Sequence, residues 1–336
     1  MTNENPAYPF STGANYSPYL LCDLFDFDND GNTTEMFARF YSLPTATQNA
    51  AKVISLSGSL TSTYESGSGI GKSYQYNSSG AYKFTIYNGL DSGNTVEDAT
   101  INITVPSGGA GISAKLSGAP VLSGNFLAGA VMTYSIDGGL TYVSVVDDWS
   151  KVTHVRIQSA GGIALASSEV ASISLPFAAN FGASVSASST AAFAGSMSYS
   201  LYNGGSLVSS PNSSTQNCTL RAAPVQIGGS VFKDYDSDGV RDANEWNNGK
   251  SYNTILYSGA YTAGTTGLTY LSSSYTGNDG AFSIQNAIYL PGSYTIQVAL
   301  NNAELLNAYS VNWTRDGDYA FYTFNVGDSI TGVTVN

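Results

Sequence analysis

Short runs in which apolar and polar residues alternate recur along this chain of 336 residues. In GSYTIQVAL, which covers residues 292–300, Tyr294, Ile296 and Val298 occupy every second position. Successive side chains of a β-strand point to opposite faces, so this period of two is typical of a strand. The turn sequence LPG precedes the run. The pattern predicts short strands joined by tight turns.

The composition argues against a helical fold. Gly, Ser, Thr, Asn and Tyr are abundant, whereas charged residues make up only 11% of the chain. Amphipathic helices need good helix formers with charged outer faces, and Lys, Glu and Arg are scarce here. Hydrophobic residues reach 42%, which is typical of a globular protein. We therefore expect an all-β fold made of tandem β-sandwich domains of the immunoglobulin-like kind.

The chain is predicted to contain three segments. The clearest boundary lies in NCTLRAAPVQIGGSVF, where one strand-like stretch ends near Arg221 and another opens at GGSVF. We expect residues 223–336 to form one compact sandwich and residues 51–222 to form another. Within the latter, AVMTYSIDGGLTYVSV has the pattern of a β-hairpin that turns at residues 137–139. Residues 1–50 are either extra strands of the sandwich that follows or the end of a preceding domain.

The net charge restricts the possible partners. A formal charge of −12 and a sequence pI of about 4.3 make the surface repel phosphate backbones and anionic membranes. The sequence has no apolar run of transmembrane length. We therefore expect neither nucleic-acid binding nor membrane insertion. Two cysteines, Cys22 and Cys218, are too few for a disulfide framework, and whether they pair is left open.

The stretch KDYDSDGVRDANEWNNG, residues 233–249, concentrates acidic side chains in a chain otherwise poor in charge. Its spacing matches the calcium loop D-x-D-x-D-G-x-x-D-x-x-E. Positions 1, 3, 5, 6, 9 and 12 are Asp234, Asp236, Asp238, Gly239, Asp242 and Glu245. Calcium takes about six to eight hard oxygen ligands, which the aspartates, the carbonyl of Val240 and a two-oxygen ligand from Glu245 would supply. Without a cation, carboxylates crowded within about a nanometre repel one another. The spacing therefore predicts a calcium site, and a solvated acidic turn is the alternative.

A second acidic stretch, CDLFDFDNDGNTTE, repeats the beginning of this pattern. Asp26, Asp28 and Asp30 take the first three aspartate positions. The twelfth position is Phe37, so the pattern is not completed, although Asn32 can offer its side-chain carbonyl. We expect the three aspartates and Asn32 to bind a second calcium ion, and an Asx-rich hairpin turn is the alternative.

The C-terminal third contains two characteristic stretches, GGSVFKDYDSDGVRDANEWNNG and GNDGAFSIQNAIYLPGSYTIQV. Together they resemble the B-type repeats of serine–aspartate-repeat (Sdr-like) bacterial surface adhesins. The matching positions are Gly229, Val231, Phe232, Asp234, Glu245, Gly249, Gly280, Phe282, Pro291, Gly292 and Tyr294. The resemblance implies a rigid, calcium-stabilised sandwich that acts as a spacer on an exported protein. The family's usual closing strand signal is missing, so we expect the last strand to be truncated or supplied by a neighbour. Residues 51–222 resemble, more loosely, the repeat sandwiches of large adhesins.

These observations favour a non-enzymatic segment of an exported bacterial cell-surface protein, an adhesin or stalk in the cell wall or a surface layer. Its expected partners are calcium ions, neighbouring copies or adjacent domains, and a host or matrix ligand. One alternative is a self-assembling subunit of a surface layer or filament that exchanges strands through incomplete termini. Another is a carbohydrate-binding module, because 24 Tyr and three Trp residues could form a sugar-stacking platform. The single histidine, His154, has no nucleophile motif beside it, so we expect no catalysis.

Overall fold

The structure is a computed structural model of the chain. It describes residues 20–22, 36–38, 53–62, 71–232, 235–236, 242–245, 251–264, 267–299, 314–327 and 333–335. The chain divides into two compact units, Met1–Lys52 and Val53–Asn336. In the first unit, β1 (Leu20–Cys22) pairs antiparallel with β2 (Met36–Ala38).

Residues 54–222 form a sandwich of two sheets. Its strands are β3 (Ile54–Ser62), β4 (Lys72–Tyr74), β5 (Ser79–Asn88), β6 (Asn94–Thr104), β7 (Ile112–Leu116), β8 (Val121–Ser123), β9 (Val131–Ser135), β10 (His154–Gln158), β11 (Val170–Phe181), β12 (Thr190–Asn203), β13 (Ser206–Ser209) and β14 (Gln216–Ala222). One sheet has the order β4-β14-β12-β6-β10-β9, with β13 also on β12. The other has the order β3-β5-β11-β7, with β8 also on β11. Two short 3-10 helices, Asn125–Leu127 and Trp149–Lys151, lie in the connections.

The core of this first sandwich lies between the two sheets. In β5, the side chains of Tyr82, Phe84 and Ile86 are fully buried at alternate positions. Tyr82 stacks on Phe193 of β12 with ring centroids 4.8 Å apart. Burying each such apolar side chain stabilises the fold by roughly 1.5–3 kcal/mol. Gly195 of β12 permits this close approach, because a Cβ at this position would lie 2.6 Å from the Phe84 ring.

The remaining strands form a second sandwich. They are β15 (Val225–Ser230), β16 (Asn253–Ser258), β17 (Thr269–Tyr275), β18 (Ala281–Ile288), β19 (Gly292–Ala299), β20 (Thr314–Asp316), β21 (Tyr319–Val326) and β22 (Val333–Val335). One sheet has the order β18-β15-β22 and the other has the order β17-β16-β19-β21-β20. Because β22 pairs in parallel with β15, the chain supplies this last strand itself. The expectation that a neighbour supplies the last strand is therefore wrong for β22, whereas the expectation of a truncated strand is not contradicted, because β22 is only three residues long.

Strand β19 follows the predicted alternation, because Tyr294, Ile296 and Val298 all belong to the core of the second sandwich. Thr295, on the opposite face, is nevertheless fully buried. Tyr261 crosses this face and donates its backbone N–H to the hydroxyl of Thr295 at 3.0 Å. The two sandwiches together confirm the predicted all-β fold. In the described ranges, no helix has the length and apolar character needed to cross a membrane.

The hairpin predicted at residues 137–139 forms only in part. The returning segment makes a single bridge, between Tyr134 and Val143, and β9 takes β10 as its sheet partner. The carboxylate of Asp137 accepts the backbone N–H of Thr141 at 3.0 Å. This bond closes a wider loop than the predicted turn at residues 137–139.

Candidate functional site

Glu245 joins two described parts of the acidic loop. Its side chain is only 2% exposed. One carboxylate oxygen, Oε1, accepts the backbone N–H of Tyr235 at 2.6 Å, and Oε2 accepts that of Asp242 at 3.0 Å. A buried carboxylate is costly unless it is hydrogen-bonded, and bonds to an ionised acceptor are the stronger kind. Glu245 therefore fixes the position of residue 235 relative to residue 242.

Three acidic residues of the predicted calcium loop are among the described residues. Asp236 and Asp242 are exposed and, like Glu245, offer hard carboxylate oxygens. Asp234, Asp238 and Val240 lie outside the described residues. Among the residues that are described, no group of three or more His, Cys, Asp or Glu side chains is placed to hold a metal ion. Calcium binding here stays a prediction.

The predicted second calcium loop lies outside the described residues. Its four ligands, Asp26, Asp28, Asp30 and Asn32, fall in the sequence between β1 and β2. The antiparallel pairing of these strands is described, and the ligands themselves are not. The second site therefore also stays a prediction.

The connection between the two sandwiches is very short. Strand β14 ends at Ala222 and β15 begins at Val225, so only Ala223 and Pro224 link them. Ala223 donates its backbone N–H to the carbonyl of Tyr74 at 2.7 Å. Both Ala223 and Val225 are buried. The linker is thus packed and hydrogen-bonded to the first sandwich rather than free in solvent.

Three aromatic side chains bridge the two sandwiches beside this linker, and we call Tyr76, Phe181 and Tyr289 the aromatic bridge. The ring of Tyr76 meets that of Phe181 edge-on with centroids 6.0 Å apart, and Phe181 meets Tyr289 at 6.5 Å. Tyr289 follows β18 in the second sandwich but is buried in the core of the first. Tyr76, from the first sandwich, packs against both cores. The bridge fixes one sandwich against the other through apolar contact.

Ring packing is the main contribution of Tyr289 to the bridge. Among the described residues, its hydroxyl is buried without a hydrogen-bond partner. Burial raises the pKa of Tyr289, because the charged phenolate loses its hydration there. The neutral ring of Tyr289 therefore acts at the junction through packing.

Sequence reasoning predicted a boundary at AAPVQ but did not predict the aromatic bridge. Tyr76, Phe181 and Tyr289 are far apart in the sequence, and no spacing pattern joins them. The one usable signal was the length of the linker. A connection of two residues between sandwiches forces their ends into contact, and apolar residues at strand ends near it are then candidates for an interface.

The cysteine and histidine singled out in the sequence lie in the first sandwich. Cys218 is a free, buried thiol, and burial raises its pKa. The side chain of Cys22 is outside the described residues. His154 is partly buried, and its Nδ1 lies 3.1 Å from the hydroxyl of Thr153. Burial lowers the pKa of His154, and nearby Asp137 acts in the opposite direction.

Comparison with known proteins gives structural similarities alone. No family model and no curated protein matches the chain. The major pilin subunit BcpA of Bacillus cereus is 9% identical, with a TM-score of 0.29, and the match covers 84% of this chain and 69% of that one. The C-terminal fragment of the major pilin GBS80 of Streptococcus agalactiae is also 9% identical, with a TM-score of 0.30, and the match covers 84% and 99%. TM-scores of this size lie below the level at which a shared fold is inferred.

Proposed function

We propose that this chain is a non-enzymatic structural segment of an exported surface protein, in which it serves as one stiff unit of a stalk or filament. The junction between the sandwiches carries this proposal. Domains joined by a flexible linker move against each other unless an apolar interface holds them. Here a packed linker of two residues and the aromatic bridge supply that interface.

A stiff junction suits a protein whose task is to hold distance outside the cell. Force applied to one sandwich passes to the next through the linker and the aromatic bridge, without first extending a slack connection. Neighbouring copies or adjacent domains of the same parent protein are then its partners. The similar solved structures are major pilins, and at TM-scores of 0.29 and 0.30 they carry no argument for the filament form of the proposal.

Small-angle X-ray scattering tests the stiffness of the junction. Inserting the six residues GSGSGS between Ala223 and Pro224 lengthens the linker and separates the members of the aromatic bridge. We expect the insertion to broaden the distribution of interatomic distances and to raise the maximum dimension. The same insertion between Gly161 and Gly162, two exposed glycines of the first sandwich, is the matched control and should change neither. A native chain that scatters like the linker-insertion variant would contradict the proposal.

We further propose that the loop of residues 234–245 binds calcium and stiffens the second sandwich. The spacing of its acidic residues and its resemblance to Sdr-like B-type repeats support this, and so does the placement of Glu245. Calcium binding to the native state alone stabilises it by mass action, by about 2–3 kcal/mol at roughly a hundredfold excess over the dissociation constant. Extracellular modules often bind calcium at about 0.1–1 mM, a range suited to an exported protein.

Chelation tests the calcium proposal. EDTA should lower the melting temperature of the second sandwich, and calcium should restore it. Asp236→Ala should reduce this calcium-dependent increment, whereas Asp147→Ala, at an exposed carboxylate of the first sandwich, should leave it intact. Metal analysis of the purified chain counts the bound ions. Equal melting with and without the chelator, together with no bound metal, would refute calcium binding while leaving the stiff junction standing.

A further inference from the structure

The outer face of the five-stranded sheet in the second sandwich is rich in aromatic rings. Leu256, Ile296 and Phe324 point into the core from β16, β19 and β21. Side chains alternate along a strand. Tyr257, which follows Leu256, and Phe321, three positions before Phe324, therefore lie on the opposite, outer face. A sheet face turned away from the core ordinarily carries small polar residues, so this concentration of rings needs a separate explanation.

The rings on this face form a layer of two contacting groups, Tyr257 with Tyr270, and Tyr261 with Phe321 and Tyr319, and we call the five together the tyrosine face. Tyr261 stacks on Phe321 with centroids 3.8 Å apart and planes 3° from parallel. Tyr257 meets Tyr270 edge-on at 6.3 Å, and Tyr319 meets Phe321 at 6.3 Å. The layer therefore spans strands β16, β17 and β21.

Hydrogen bonds hold the inner members of the tyrosine face in fixed orientations. The hydroxyl of Tyr257 donates to Oε1 of Gln297 at 2.6 Å. That of Tyr261 donates to Oδ2 of Asp316 at 2.5 Å, and the backbone N–H of Tyr261 also donates to the hydroxyl of Thr323 at 3.1 Å. The ring positions are thus set before any partner arrives, which reduces the entropy lost on binding.

The outer members of the face remain open to solvent. Tyr270 is 58% exposed and Tyr319 is 42% exposed. Tyr270 meets the ring of Tyr257, and Tyr319 meets the ring of Phe321. Exposed aromatic residues that converge in this way mark interaction sites, since Tyr combines a large apolar ring with a polar hydroxyl.

We propose that the tyrosine face binds a neutral oligosaccharide. The flat C–H faces of a pyranose ring pack on aromatic rings, and its rim of hydroxyls exchanges hydrogen bonds with phenols and with the exposed carboxylate of Asp316. Charge selects against nucleic acid, because the chain carries a formal charge of −12 and phosphate backbones carry like charge. A neutral sugar meets no such repulsion.

Affinity electrophoresis in native gels tests this proposal with three neutral polysaccharides, hydroxyethylcellulose, laminarin and mannan. The acidic chain migrates and the neutral polymers do not, so binding appears as retardation. We expect at least one polymer to retard the chain. Tyr270→Ala and Tyr319→Ala should each weaken the apparent affinity by about 3- to 10-fold, as expected for the loss of one aromatic contact. Tyr87→Ala, which removes a 40% exposed ring from β5 of the first sandwich, is the matched control and should bind as the native chain does.

Several outcomes would overturn the proposal. One is the absence of retardation by all three polymers, and another is unchanged retardation of both variants. A third is concentration-dependent self-association in sedimentation velocity that Tyr270→Ala abolishes, which would assign the face to contacts between copies. Circular dichroism melting checks that each variant is folded. If Tyr319→Ala is not folded, the result for Tyr270→Ala alone decides the test. None of these outcomes bears on the stiffness of the junction.

Discussion

Asp137 shows how one exposed carboxylate can organise a surface loop. The hydroxyl of Ser135 donates to its Oδ1 at 2.6 Å, and that of Thr141 donates to Oδ2 at 2.6 Å. These bonds favour the ionised carboxylate, so they hold the pKa of Asp137 well below its usual range. Sequence reasoning treated residue 137 only as a turn position, because side-chain acceptors within a loop leave no periodic signal.

The lowered pKa of Asp137 predicts how the loop responds to acid. An unfolded aspartate titrates near about 4, so the stabilisation from these bonds is fully present above that pH. It is lost only as the pH falls below that value, towards the lower pKa of the folded state. We expect the backbone amide resonance of Thr141 to show no transition near pH 4 and to shift with the Asp137 carboxyl only at lower pH.

Substitution checks the same point at neutral pH. Asp137→Asn should speed the hydrogen exchange of the Thr141 amide, because a neutral amide oxygen is a weaker acceptor than a carboxylate. Asp147→Asn, at an exposed carboxylate nearby, should leave that exchange unchanged. A Thr141 resonance that titrates with an ordinary aspartate pKa would show that the loop bonds do not hold the charge.

Where the two sheets of the first sandwich approach closely, the strands leave room only for a small side chain. Gly195→Ala in β12 would place a methyl group 2.6 Å from the ring of Phe84 and 2.7 Å from the hydroxyl of Tyr82. Both neighbours are buried, so neither can move away freely. We expect a destabilisation of the first sandwich by about 1–3 kcal/mol, read from the midpoint of denaturant unfolding.

A second strand glycine offers the control. At Gly228 of β15, an added Cβ would find its nearest neighbour at 3.8 Å, which is ordinary contact. Gly228→Ala should therefore change stability by much less than Gly195→Ala. If the two substitutions had equal effects, the packing of Phe84 against β12 would not be as tight as described.

The elements differ in how far the sequence could predict them. The alternation at Tyr294, Ile296 and Val298 predicted β19 and its core face, because burial of one sheet face imposes that period. It did not predict the burial of Thr295, since the covering residue, Tyr261, comes from a loop with no period of its own. The segment after β9 returns as a single bridge rather than a strand, and the hydrogen bonds to Asp137 that order its loop leave no periodic signal.

Across the whole molecule, the sequence predicted the all-β class, which the structure confirms, but not what holds the sandwiches together, and calcium binding by its candidate ligands stays a prediction. The acidic spacing placed Glu245 at the closing position of a loop. Its burial and its bonds to two backbone amides depend on the folded chain and had no sequence signature. The aromatic bridge was likewise invisible, because contacts between residues as distant as Tyr76 and Tyr289 are created by topology.

Backbone ¹⁵N relaxation measures most directly whether the two sandwiches move as one body. Amides of residues 71–222 and of residues 225–299 report the rotational correlation time of each sandwich separately. The account predicts the same correlation time for both in the native chain, and a shorter one for the second sandwich when Tyr289→Ala removes part of the aromatic bridge. Two distinct correlation times in the native chain would contradict the stiff junction on which the proposed function rests.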